Sequence, residues 1–145
     1  MATAPAVILA FDYGVKRIGV AVGQTTTATA SPAGVIPVHG AVDWAAVERC
    51  VRDWSPARLL VGVPYNMDGT ETVLTATCRA FAAELARRFG LPVECVDERL
   101  TSAAATADLR EARRSGARTR RVRREDIDAH GARLILETWL RGPAN

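Results

Sequence analysis

Asp12 stands between two apolar runs, residues 7–11 and 18–22, with a glycine-containing turn at residues 13–17. Two short runs of this kind joined by a turn predict a β-hairpin. Burying an ionised carboxylate costs many kcal/mol unless a cation, hydrogen-bond donors or a raised pKa compensates. The chain must therefore fold so that other polar groups reach Asp12.

Two further acidic positions lie at the ends of apolar segments. Asp97 and Glu98 close the run 91–96, and Asp128 follows Ile127 at the start of the last helical pattern. Carboxylates from three elements can converge on a pair of divalent metals about 3.5 to 4 Å apart, which is an arrangement that hydrolyses phosphodiesters. Oxygen ligands suit Mg²⁺ or Mn²⁺. Adjacent strand residues face opposite sides, so only one of Asp97 and Glu98 is expected to reach the metals.

Length and composition restrict the class of protein. A chain of 145 residues with 48% hydrophobic content predicts one domain spanning residues 1–145. It has no apolar run of 18 residues and no charged n-region, which predicts a cytoplasmic protein without a membrane segment. Three widely spaced cysteines and two histidines are too few soft ligands for a zinc cluster.

The basic residues are concentrated late in the chain. Eight arginines lie between Arg110 and Arg124, with Glu111 as the acid among them. A guanidinium fork binds phosphate oxygens, so this segment predicts a nucleic-acid contact. A merely solvated loop is the alternative, because 18 arginines against one lysine also indicate a codon bias. The candidate substrate-binding members are Arg118, Arg120, Arg121, Arg123 and Arg124.

Hydrophobic periodicity predicts an α/β fold. The first three strands are expected to be antiparallel, and the following β-α-β unit makes the first and fourth strands parallel neighbours. Asp12 would then lie beside the loop at Pro64. This order is that of the three-layer ribonuclease H architecture, a mixed five-stranded sheet with helices on both faces. The predicted strands are 7–12, 18–23, 34–38, 59–63 and 91–97, and the predicted helices are 44–54, 74–89, 101–115 and 127–140.

Helix-capping residues and a proline indicate some of the predicted helix and strand boundaries. Asp43 is expected to cap the first helix. Asp68 and Glu71 have the spacing of a capping box for the second helix, which should stop at Gly90. Pro37 indicates that the third strand lies at an edge of the sheet.

Four segments of the chain resemble the motifs of the YqgF, or RuvX, family. They are residues 11–21, residues 61–71, residues 97–102, and residues 127–128 before 134–136. The resemblance covers nearly the whole chain and keeps the order of the motifs. It implies a ribonuclease H-like fold related to RuvC resolvases. Members of the family are described as nucleases of pre-16S ribosomal RNA and, in some cases, as Holliday junction resolvases.

The resemblance also implies roles for individual residues. Asp12, Glu98 and Asp128 would be the catalytic, metal-binding carboxylates. The loop 66–71, including Asn66, would border the site, and the arginine-rich loop would follow the substrate backbone. One departure is Gly131-Ala132, where the family tends to have two alanines; a glycine there would let the last helix approach the sheet closely. Another is Glu125-Asp126, which leaves open whether Asp126 is a ligand.

Three further residues near these motifs have two interpretations each. Lys16 and Arg17 follow Asp12 and would neutralise a substrate phosphate, or they belong to a solvated turn. His130 is two residues beyond Asp128 and does not share its helix face, which favours packing over a general-base role.

Three functions remain for a chain with these features. The leading one is a two-metal nuclease acting on structured RNA. The second is cleavage of branched DNA junctions by the same site, which would require a homodimer. The third is a non-catalytic RNA-binding module that uses only the arginine-rich loop. An actin-like ATPase is disfavoured, because 145 residues cannot supply a second nucleotide-binding lobe.

Overall fold

A computed structural model describes residues 6–100 and 124–142, with side chains for residues 6–99 and 129–142. The predicted helix 101–115 lies outside the described residues. A short 3-10 turn, Glu98–Leu100, follows the last strand. The elements are β1 Val7–Tyr13, β2 Arg17–Gln24, β3 Thr29–Pro37, α1 Trp44–Trp54, β4 Arg58–Val63, α2 Thr75–Phe89, β5 Val93–Asp97 and α3 Arg124–Arg141.

The strands form one mixed sheet in the order β3-β2-β1-β4-β5. β1 and β2 form an antiparallel hairpin, and β2 also pairs antiparallel with β3. β1 pairs parallel with β4, and β4 with β5. The predicted parallel contact between the first and fourth strands is therefore confirmed. It brings the carboxyl ends of β1, β4 and β5 to one edge of the sheet, where ligands commonly bind in α/β folds.

The third strand is longer than predicted. β3 begins at Thr29, where it pairs with Gln24, although the third strand was predicted to begin at residue 34. Its small and polar residues have weak strand propensity, but pairing with β2 overrides it because strand stability depends strongly on the neighbouring strand. Pro37 lies at the edge of the sheet, as predicted.

Helices cover both faces of the sheet and complete the three-layer arrangement. On one face, α1 and α2 pack over alternate residues of β1 and β4, among them Phe11 and Val61. The rings of Phe11 and Phe81 meet edge to face, with centroids 5.7 Å apart. On the other face, α3 packs against a cluster that includes Ile8, Ala10 and Leu60. The fold is therefore the predicted ribonuclease H-like one, with Asp12 on the face that α3 covers.

The far end of α3 is fixed to the sheet by one acidic residue. Glu94 on β5 accepts hydrogen bonds from the indole Nε1 of Trp139 at 2.7 Å and from Arg58 Nη1 at 2.9 Å. The guanidinium of Arg58 also lies 5.5 Å from the centre of the Trp139 ring. These contacts link the C-terminal end of α3 to β4 and β5.

Two of the three predicted caps are present. The Asp43 carboxylate accepts from the Ala46 amide at 3.1 Å, and Gly90 ends α2 in the left-handed conformation. The predicted Asp68 capping box is wrong. Asp68 accepts instead from the amide and hydroxyl of Thr70, and so closes a local turn before α2 begins. Aspartate side chains commonly bond to backbone two residues on, and this contact competes with helix capping.

No helix within the described ranges is long and apolar enough to cross a membrane.

Candidate metal centre and nuclease site

Asp12 and Glu98 meet on the face of the sheet that α3 covers. Asp12 lies near the end of β1, and Glu98 follows β5, two strands away. Both residues are half-buried, and their carboxyl groups are joined by a hydrogen bond. The fold therefore brings together two of the three carboxylates that the sequence singled out.

The electrostatics of the pair favour a cation. Burial is the largest of the causes that together raise the pKa of Glu98 to about 8, and the others are the hydrogen bond with Asp12 and repulsion from Asp12 and Asp97. Without a cation, Glu98 is therefore largely protonated at neutral pH. A divalent cation would reverse this preference by neutralising two adjacent negative charges. The oxygen donors of the pair suit Mg²⁺ or Mn²⁺.

Asp97 is occupied by a different partner. Its Oδ1 accepts from the backbone amide of Arg99 at 2.9 Å, and its Oδ2 accepts from Arg99 Nη2 at 2.6 Å. The hydrogen bond with Arg99 is the largest cause of the lowered pKa of Asp97. Asp97 and Arg99, the residues on either side of Glu98, thus bind each other, and Glu98 contacts Asp12. This arrangement favours Glu98 over Asp97 as the metal ligand.

The third predicted ligand, Asp128, belongs to α3, but its side chain lies outside the described residues. Its helix nevertheless passes directly over the site, because a Cβ added to Gly131 would overlap Oδ2 of Asp12 and lie 3.3 Å from its Cγ. Residues three apart share a helix face, so Asp128 shares the face of Gly131. No cluster of three or more metal-ligand side chains occurs among those described, and the complete ligand set stays a prediction.

The predicted substrate-binding residues divide between described and undescribed parts of the chain. Lys16 is exposed and Arg17 half-buried, both at the turn that follows Asp12. Asn66 is exposed, and its Nδ2 donates to Thr70 Oγ1 at 2.9 Å, so it braces its own loop. Arg124 begins α3, with its side chain undescribed. Outside the described residues lie Arg118, Arg120, Arg121 and Arg123.

The remaining open candidates lie on α3. Asp126 belongs to this helix, and its side chain is not among those described. His130 is half-buried on the same helix. Neither its packing role nor a general-base role is decided by this position, and both interpretations stay predictions.

Sequence reasoning missed two residues that contact the pair or its flanks. Arg99 holds Asp97, and its guanidinium also lies 5.6 Å from the centre of the Tyr65 ring. Gly62 lies on β4 directly below the Glu98 side chain. The position of Arg99 next to Asp97-Glu98 was a usable signal. For Gly62 there was none, because its neighbour Glu98 is distant in the sequence.

Comparison with known proteins identifies the family. A sequence model of the RuvX family, described as Holliday junction resolvase, matches residues 6–142. The chain belongs to the RuvX family. RuvX relatives include a protein of Coxiella burnetii named "Putative pre-16S rRNA nuclease", 43% identical over 96% of this chain and 95% of its own length. A protein of Cronobacter sakazakii with the same name is 45% identical over 91% of this chain and 94% of its own.

Solved structures support the fold of this RuvX chain. The RuvC of Thermus thermophilus in complex with a Holliday junction substrate aligns with a TM-score of 0.59 at 14% identity, over 97% of this chain and 98% of that one. The yeast mitochondrial Holliday junction resolvase Ydc2 aligns with a TM-score of 0.52 at 12% identity, over 92% of this chain and 77% of that one. At these identities the likeness concerns the fold alone.

Proposed function

We propose that this RuvX protein is a metal-dependent nuclease that hydrolyses phosphodiester bonds, with maturation of the 5′ end of pre-16S ribosomal RNA as its role. The observation that carries the proposal is the contact between Asp12 and Glu98 beneath α3. Two half-buried acidic side chains in contact repel each other when both are ionised, but together they supply the oxygen ligands that a divalent cation prefers. The substrate follows from the names of the relatives.

Asp12, Glu98 and Asp128 would hold the metal ions. Divalent cations held there would supply Lewis acidity, which would lower the pKa of a water molecule and stabilise the leaving oxygen. Asp12 contacts Glu98 on one side and the backbone of α3 on the other, so its carboxylate has little freedom to turn away. Glu98 would hold a cation in its ionised form, with its proton released to solvent. No covalent protein intermediate is needed, because water is the nucleophile.

The surroundings of the pair suit a phosphate backbone. Lys16 and Arg17 at the nearby turn would neutralise phosphates close to the scissile bond, and the arginine-rich loop would bind phosphates farther along the chain. A basic protein, with a net charge of +3 and a pI near 9.1, is consistent with such a partner. A ribosomal RNA precursor as substrate places the protein in the cytoplasm.

Cleavage of a four-way DNA junction is the second candidate function. It is favoured by the description of the family model and by the junction bound to the RuvC that shares this fold. Paired nicks in a junction require two active sites in one assembly. A junction-cleaving form of this protein would therefore be a homodimer.

A cleavage assay with two substrates tests the proposal. Precursor 16S RNA and a four-way DNA junction are each incubated with the protein and Mg²⁺ or Mn²⁺. The variants are Asp12→Asn, which removes a proposed ligand, and Asp53→Asn, the same change at an exposed position of α1. Cutting of RNA that is lost only in D12N supports the proposal. Paired nicks in the junction alone would establish the second function, and metal-independent binding without cutting would indicate a binding module.

A further inference from the structure

Gly62 lies between the two acidic residues of the site. It belongs to β4, and β4 separates β1, which carries Asp12, from β5, which precedes Glu98. Neighbouring strands are about 4.8 Å apart, so β1 and β5 are separated by roughly twice that distance. The Glu98 side chain must therefore cross β4 to reach Asp12. Gly62 pairs with Val96 of β5, close to the point of crossing.

The crossing side chain occupies the space where residue 62 would carry its own. A Cβ at this position would lie 2.9 Å from Oε1 of Glu98 and 3.0 Å from its Cγ. It would also overlap Cδ1 of Ile135, a buried residue of α3. Real Cβ atoms essentially never approach other heavy atoms this closely, so any larger residue would force its neighbours to move.

We infer that Gly62 is a positioning residue of the nuclease site, because its missing side chain is the gap through which Glu98 reaches Asp12. The inference rests on the proposed function in so far as Glu98 is a metal ligand. The competing explanation is that Gly62 only makes room for Ile135 and the packing of α3.

A pair of variants distinguishes the two explanations. Ile135→Val removes Cδ1, the atom that a Cβ at position 62 would overlap, and leaves the rest of the side chain in place. Of the three heavy atoms nearest to a Cβ at residue 62, the two that remain in this background both belong to Glu98. The comparison is therefore between I135V and G62A/I135V, by Mn²⁺ titration calorimetry and by crystal structures of the metal-free proteins.

We expect I135V to bind Mn²⁺ as the wild type does and G62A/I135V to bind it about tenfold or more weakly, which is the scale of effect of groups that orient metal ligands. The crystal structure of G62A/I135V should show Glu98 displaced from Asp12. Equal Mn²⁺ affinities, or an unchanged contact between Glu98 and Asp12, would overturn the inference.

A third variant and a comparison of the wild type with D12N extend the experiment. If G62A/I135V does not fold, G62A/E98A/I135V removes the remaining overlap; recovered cooperative folding supports the inference, and continued failure refutes it. If the wild type and D12N bind Mn²⁺ equally, the proposed metal site is wrong. In that case the metal-free crystal structures still decide whether Gly62 positions Glu98.

Discussion

The backbone of Gly131 packs directly against the carboxylate of Asp12. A Cβ at residue 131 would overlap Oδ2 of Asp12 and lie 3.3 Å from its Cγ. This contact explains how α3 reaches the sheet so closely at the site. It also fixes one side of Asp12, while Glu98 contacts the other.

The size of the residue at position 131 should affect metal binding more than folding. Gly131→Ala is expected to preserve folding, because alanine gains up to about 1 kcal/mol over glycine in a helix, but its Cβ would overlap Oδ2 of Asp12 and should weaken Mn²⁺ binding. Gly131→Leu should displace Asp12 and abolish the rise in melting temperature on adding Mn²⁺. Thermal melts with and without Mn²⁺ measure both effects. An undiminished rise in G131L would show that the contact does not constrain Asp12.

Metal should stabilise the wild type and not D12N. A cation that binds only the folded protein stabilises it by about 2.7 kcal/mol at a concentration 100 times its Kd. Asp12→Asn removes a proposed ligand and the charge that the cation offsets, so most of this gain should disappear. D53N serves as the matched control and should respond as the wild type does. An equal response of D12N would remove Asp12 from the ligand set.

The metal-free protein should lose stability as the pH rises from about 4.5 to 8. Glu98 has a pKa of about 8 in the folded protein against an ordinary value of 4.5, so in this window the folded state binds the proton more tightly than the unfolded chain. The hydrogen bond of Glu84 with Arg87 and its other arginine contacts lower its pKa to about 2. Glu84 therefore titrates below this window. Urea denaturation in a chelator at pH 5 and pH 8 measures the change.

Glu98→Gln provides the control for this pH dependence. The variant retains a polar side chain of similar size but cannot ionise, so its stability should fall less between pH 5 and pH 8. An identical fall in E98Q and the wild type would assign the dependence to groups other than Glu98. Both proteins are compared at the same ionic strength, since screening alters the repulsion between Asp12 and Glu98.

The contacts of Glu94 should matter for stability and not for the site. Glu94→Ala removes the acceptor for Trp139 and Arg58, and its expected cost is about 0.5–1.5 kcal/mol in the free energy of unfolding. Mn²⁺ affinity should remain that of the wild type, because Asp12 and Gly131 stay in contact. Denaturation measures the change in stability, and calorimetry measures the Mn²⁺ affinity. A large loss of Mn²⁺ affinity would show that the far end of α3 also sets the site.

Much of the architecture followed from local patterns. The turn at residues 13–17 and the hydrophobic periodicity of the strands and helices predicted most elements, because backbone conformation and one-sided burial leave a trace in neighbouring residues. Strand boundaries were predicted less accurately where pairing with a neighbouring strand outweighed the intrinsic strand propensity, as at Thr29. The predicted capping role of Asp68 was wrong because a short turn and a helix cap use the same side-chain acceptor.

The sequence by itself determined which acidic residues end apolar segments, and a resemblance of motifs selected Asp12, Glu98 and Asp128 among them. Only the tertiary structure decided that Glu98 crosses β4 over Gly62 to meet Asp12, and that Gly131 closes the other side. The physical reason is that a periodic pattern reports which face a residue occupies within its own element. Distances between residues on different elements depend on strand order and on the closeness of helix packing, which no local pattern encodes.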